Sequence, residues 1–149
     1  MLSALEVANY FLASSQEETG DLISNLKLQK LVYYAQGFHL AVFDEPLFDE
    51  SIEAWTHGPV VPDLYHYFKH FEAGPIPPPD EFEFDDDKYD DQVKSLLDEV
   101  NEIFGQYSAW KLRNLTHDEP PWIDAYEKPS NLITVNSMKE YFKTQLVDE

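Results

Sequence analysis

The chain has 149 residues, 43% hydrophobic and 15% aromatic, enough for one core that buries roughly 70% of the unfolded surface and too few for a second. Its 29 acidic residues against 10 basic ones give a formal charge of -19, and Arg113 is the only arginine; this excludes a protein that reads DNA or RNA through its phosphates and favours a basic protein partner. With no cysteine, a disulfide framework, a thiolate nucleophile and a thiolate zinc site are excluded as well.

Met1 to Ser14 carries Glu6 and no Lys or Arg, unlike the basic start of a signal peptide, and no apolar run approaches the ~20 residues of a membrane span. The expectation is a cytoplasmic protein with no membrane partner. Ser3 and Glu6 have capping-box spacing, and Ala4, Val7, Ala8, Phe11 and Leu12 follow with helical period, so a helix opens the chain and ends near the polar run from Ser14 to Gly20. Ser24 can cap a second helix whose apolar stripe is Leu28, Leu31, Val32, Ala35, Phe38 and Val42, with Lys30, Tyr34, Gly37 and Ala41 on the opposite side.

No acid occurs from Leu22 to Phe43, nor from Phe104 to His117. Buried positions exclude unpaired carboxylates, so these segments, including Trp110, Lys111, Leu112, Arg113 and Leu115, are expected to be neighbours in the core. Between them, Ile52 and Ala54 alternate with Ser51 and Glu53, which predicts a short strand before Gly58-Pro59. Pro62 starts a helix that continues through Leu64, Tyr67, Phe68 and Phe71 to Gly74-Pro75.

From Pro75 to Asp91 come four prolines and then eight acids, the pattern of a loop. Its acidic run, broken by Phe82 and Phe84, reads either as a solvated loop and helix start or as a phosphate mimic for a basic groove. Asp85, Asp86 and Asp87 suit the positive end of the helix dipole that follows. That helix runs through Val93, Leu96, Leu97, Val100, Ile103 and Phe104 and closes at Gly105. Ser108 starts a short helix through Leu115, and Pro121 another through Glu127. Leu132 to Val135 alternates weakly, and Met138, Tyr141, Phe142 and Leu146 mark a final helix. The fold class read from this pattern is mainly α: a single helical domain over residues 1–149 with six or seven helices and a short β element near residues 47–56.

Three blocks carry more information than the periodicity. They are Leu28-Gln29-Lys30-Leu31-Val32-Tyr33-Tyr34-Ala35-Gln36-Gly37; Pro46-Leu47-Phe48 with Ile52-Glu53-Ala54-Trp55, His57-Gly58-Pro59-Val60-Val61-Pro62 and Leu64-Tyr65; and Leu112-Arg113-Asn114-Leu115-Thr116-His117-Asp118-Glu119 with Pro121-Trp122. In this order, from about residue 26 to 126, the chain resembles the Panacea antitoxin domain family, the SocA- and GepA-like proteins of bacteria and phages. It departs from the pattern at Phe38, where tryptophan is common, and at Pro120, where glycine is frequent. The resemblance implies a mainly helical domain that is no enzyme, needs no cofactor, and neutralises a cognate toxin by direct binding. An adaptor that delivers a bound protein to a protease is the alternative, and a metal-dependent hydrolase a minor one.

The residues weighed for toxin contact are Trp55, His57, Gly58, Pro59, Tyr65, His117, Asp118 and Trp122, while Gln29, Lys30, Tyr33, Tyr34 and Gly37 form a structural motif. His57-Gly58-Pro59 either presents an imidazole on a rigid turn or only shapes that turn, with His57 bonded to backbone. Thr116-His117-Asp118-Glu119 reads either as a recognition loop or, from the capping-box spacing of Thr116 and Glu119, as a structural cap, and Lys30 with Tyr34 either satisfies a buried polar contact or meets the toxin directly. His66 and His70, four apart on one helix face, have a metal-compatible spacing but no third ligand. Glu53, His57, His117 and Asp118 could supply an acid-base group only if the fold gathers them.

Overall fold

The computed structural model describes residues 1–14, 23–80, 82 and 84–146. Beyond Ser14, the polar run expected to end the first helix lies outside the described residues. The chain is mainly helical, with α1 (Ala4–Ser14), α2 (Asn25–Phe43), α3 (Pro62–Phe68), α4 (Asp91–Phe104), α5 (Ala109–Thr116), α6 (Pro120–Tyr126) and α7 (Val135–Lys143). The short strands are β1 (Ile23–Ser24), β2 (Ile52–Trp55), β3 (Gly58–Val60), β4 (Pro75–Ile76) and β5 (Leu132–Ile133). They form an antiparallel pair, β1 with β4, and an antiparallel trio in the order β3-β2-β5. Registers such as Ile23 opposite Ile76, Ala54 opposite Pro59 and Ile52 opposite Ile133 tie distant segments together.

Local chemistry starts the helices where the sequence says it should. Ser3 Oγ accepts from the Glu6 amide at 3.1 Å while Glu6 Oε1 accepts from the Ser3 amide at 2.9 Å, the reciprocal pair of a capping box. Ser24, Asp90, Ser108 and Thr134 cap α2, α4, α5 and α7 through their side-chain oxygens, each satisfying an amide that has no partner inside its helix. The α4 cap is Asp90; Asp86 and Asp87 instead belong to a 3-10 turn upstream, and Asp85 caps that turn.

Helix α2 is the axis of the molecule. It packs against α7, α4, α5, α1 and β3, so its apolar stripe and its opposite side are both covered, and Leu28, Leu31, Val32, Tyr33, Tyr34 and Ala35 are buried. Gly37 is required on that second side, because a Cβ there would drive into the Phe142 ring of α7. Val42, expected in the stripe, is exposed, since the stripe outruns the neighbours that cover it.

Other expectations are corrected. The acid-free segments do meet, as α2 against α5, and Leu112 is buried, but Trp110 is 55% exposed and Lys111 is also at the surface. Tyr67 is likewise exposed, since α3 buries only Leu64 and Phe68, and α3 stops at Phe68, where a 3-10 turn follows. The loop from Pro75 is not wholly solvated: Ile76 is buried in the β1–β4 pair, and Tyr10, Phe84 and Tyr89 cluster with centroids 5.1–6.3 Å apart. The Tyr89 hydroxyl donates to the Glu6 carbonyl at 2.6 Å. The Phe82 residue, by contrast, is 99% exposed. No helix of the described residues is long and apolar enough to cross a membrane.

Candidate functional site

The three sequence blocks converge at one end of α2. Lys30 is 0% exposed, and its Nζ donates to the Pro59 carbonyl at 3.2 Å. Gly58, the first residue of β3 after the Thr56-His57 turn, has φ 109°, a region that side chains rarely adopt; a Cβ there would lie 2.5 Å from Lys30 Cε and 2.9 Å from Thr116 Oγ1. Gln29 completes the bracing: its Oε1 accepts from the Val61 amide at 2.9 Å, and its Nε2 donates to Asn25 Oδ1 at 2.9 Å. The buried members of the motif therefore hold the His57-Gly58-Pro59 turn at a fixed height above α2.

One turn further along the same side of α2, Tyr33 and Tyr34 donate their hydroxyls to the two Glu119 oxygens at 2.9 and 2.8 Å. Glu119 is buried, and desolvation, which outweighs the two tyrosine hydrogen bonds, pushes its pKa up to about 7. The capping-box expectation for Thr116 and Glu119 is thus corrected. Thr116 is the last residue of α5, its hydroxyl donates to the Arg113 carbonyl at 2.8 Å, and Glu119 precedes α6 without a side-chain cap. The tyrosines, not the local amides, have taken the carboxylate. Lys30 and Tyr34 both make buried polar contacts, each with a partner of its own.

The outward face carries most of the residues weighed for partner contact. Trp55 is half-buried, its Nε1 donating to Glu53 Oε1 at 2.9 Å and its ring 5.1 Å from Tyr65. His117 stacks on Trp122 at 4.0 Å, Trp122 stacks on Tyr126 at 4.6 Å, and Trp122 Nε1 donates to the Trp55 carbonyl at 2.8 Å. Asp118 is exposed. His57 is exposed too, and its Nδ1 accepts from Arg113 Nε at 3.1 Å rather than meeting backbone. The Arg113 guanidinium lies 4.4 Å from the Trp110 ring centroid. Below this face, bounded by the start of α2, Trp55, His57, Tyr65 and Tyr126, runs a groove of about 780 Å³ with Lys30 in its lining.

Basic side chains gather on this face, beside Glu53, Asp118 and the groove-lining Glu72. Lys30, Arg113, His57 and His117 lie together, close enough that the Arg113 charge depresses both Lys30 and His117. Burial is the larger cause for each, and it brings Lys30 down to about 7. Among the described residues no ion pair joins Lys30 or Arg113 to a carboxylate, which is true also of Lys69, Lys111 and Lys128, whereas Lys88, Lys94, Lys139 and Lys143 have acidic partners. His117 Nε2 is buried without a hydrogen-bond partner. Trp110 and Arg113 are the two functional candidates that sequence reasoning missed. Their i, i+3 spacing put them on one helix face, and a lone arginine in an acidic chain was the signal.

Among the described residues, the acid-base set and the histidine pair weighed from the sequence do not assemble. No hydrogen bond joins Glu53, His57, His117 and Asp118 to one another, each being held elsewhere or exposed. His66 is in α3 and His70 in the 3-10 turn beyond it, so they do not share one α-helical face. No group of three described His, Asp or Glu side chains is placed to hold a metal ion.

A family model described as Antitoxin SocA-like, Panacea domain, matches residues 28–123. The chain is similar to Antitoxin SocA of Caulobacter vibrioides (strain NA1000 / CB15N), with 50% identity over 46 residues, a stretch that is 31% of this chain and 24% of that protein. The chain therefore matches about a quarter of that curated relative's length. No solved structure matches it.

Proposed function

The chain belongs to the SocA-like Panacea antitoxin family, and we propose that it is the neutralising partner of a protein toxin, which it binds directly through the face made by the β2–β3 turn, α5 and α6. One observation carries this reading. The three blocks meet at this face, their buried members using their polar groups to fix a turn and their outward members forming an aromatic and cationic surface beside a groove.

A rigid, braced turn is what a binding surface needs, because little conformational entropy is then lost on association. Trp55, His57, Trp110 and Trp122 are the proposed anchors, tryptophan and arginine being the residue types that dominate interface energetics. The charge of -19 favours a toxin that is basic overall, and attraction between the two accelerates their encounter more than it tightens the complex.

Co-expression with the product of the neighbouring gene tests the proposal. Growth is expected to be restored with a complex that survives gel filtration, and the double variant His57→Ala, Trp110→Ala should weaken that complex by at least about tenfold while keeping its circular dichroism. Failure to restore growth would overturn the reading. Restored growth accompanied by disappearance of the toxin would point instead to delivery for degradation.

A further inference from the structure

Arg113 is anomalous for its setting. In a chain with 29 acids, it is held by neutral groups: the Trp110 ring at 4.4 Å, His57 Nδ1 at 3.1 Å from its Nε, and Asn114 Oδ1 at 3.0 Å from one terminal nitrogen. A guanidinium has five N–H donors in a fixed plane, so these contacts leave most of them unused while fixing the plane's orientation. Stacking on an aromatic and bonding at Nε remove the rotamer freedom that a long side chain otherwise loses on binding. His57, which aims the guanidinium, is also part of the groove wall, and Ala109, next to Trp110, lines the same groove.

We propose that Arg113 is the receptor for one carboxylate side chain, an Asp or Glu, on a partner segment whose apolar residues lie in the adjoining groove. The inference rests on the reading that this face binds a protein, and it names the chemistry of the contact. A carboxylate matches the planar fork and accepts two parallel N–H bonds. A single one is selected because the surrounding charge of -19 repels anything more heavily charged, such as a phosphate or a run of acids. The partner is thus basic overall with one acidic anchor, and that anchor fixes its register, since an acid anywhere else in the contact meets repulsion.

The lone arginine makes the test direct, because the 15N-labelled protein has one arginine Nε–Hε resonance to follow. The probes are the blocked peptide acetyl-Leu-Glu-Leu-Phe-amide, its Gln counterpart, the Gln peptide with a free C-terminal carboxylate, and inorganic phosphate. The Glu peptide is expected to move and saturate the Arg113 Nε–Hε and Trp110 indole signals together, with the other three probes at least about tenfold weaker. Arg113→Lys, which keeps the charge and loses the fork, should weaken the Glu peptide by about fivefold or more with the rest of the spectrum unchanged. Equal binding of the Glu and Gln peptides, equal binding of phosphate or of the chain terminus, an indifferent Arg113→Lys variant, or no binding of any probe would each overturn the proposal. Because no toxin is used, such a failure would leave the neutralising role itself standing, and a failed growth rescue would leave the peptide result intact.

Discussion

Two polar sites lie along the central helix α2, about one turn apart, and they are completed to different degrees. At the Tyr33 and Tyr34 site both carboxylate oxygens of Glu119 receive a hydroxyl. Gln36, further along, has its amide matched at both ends by Leu47, Phe48 and the Phe48 carbonyl. At the Lys30 site, Nζ donates one hydrogen bond, to the Pro59 carbonyl at 3.2 Å, His117 Nε2 has no partner, and the guanidinium of Arg113 forms no ion pair among the described residues. Buried polar groups that serve folding are paired, because leaving one unpaired costs about 1–3 kcal/mol. Among the described residues this incompleteness falls at one end of the helix, at the face proposed above to bind a partner.

The largest effect expected from breaking the completed side comes from Phe142. Its ring stands over Gly37 and lies 5.5 and 6.0 Å from the Tyr33 and Tyr34 rings. Phe142→Ala should cost about 3–5 kcal/mol in chemical denaturation. Gly37→Ala should cost about 1–3 kcal/mol in the native background by overpacking. In the Phe142→Ala background it should instead stabilise by up to about 1 kcal/mol, since the methyl then has room and alanine is the better helix former. The same sign in both backgrounds would show that the close approach of α7 to Gly37 is not what excludes a side chain.

A smaller effect, with a definite pH window, is expected at Glu119. Its folded pKa, about 7, is raised from an ordinary 4.5, so the folded state binds the proton more tightly than the unfolded one. The associated stability is fully present below the ordinary value and is lost as pH rises through about 7. Glu119→Gln removes that loss. Relative to the parent protein, the variant should gain about 2 kcal/mol on going from about pH 5.5 to pH 8, measured as the difference between the two denaturation midpoints at each pH. At the acid end it should be slightly the less stable, because a tyrosine hydroxyl loses an acceptor. A difference that stays constant with pH would mean that Glu119 is ionised throughout.

How much of this was legible depended on whether the deciding partner was near in sequence. The caps at Ser3, Ser24 and Ser108 and the stop at Gly105 were readable because donor and acceptor are three or four residues apart. The role of Glu119 was not: its spacing from Thr116 imitates a cap, while its partners lie 85 and 86 residues away. His66 and His70 failed for a related reason, the helix ending between them where no strong breaker stands. Trp110 was assigned to the core because its segment lacks acids. The lack of acids is real, but at Trp110 and Arg113 it leaves a cation unneutralised at the surface instead of marking burial.

That last distinction gives the smallest expected effect on stability. If the cationic face is not part of what holds the fold, Trp110→Ala should change the denaturation midpoint by no more than about 0.5–1 kcal/mol. That allows for the loss of one exposed cation–π contact and the edge packing on His57. The same substitution frees the Arg113 plane, so the arginine Nε–Hε resonance should sharpen and move toward its random-coil position. A loss of about 3 kcal/mol or more, of the size expected at Phe142, would make Trp110 a structural residue and dissolve the contrast between the two sites. A small loss with an unmoved arginine signal would keep the contrast but remove Trp110 from the orientation of Arg113, leaving His57 and Asn114 to hold it alone.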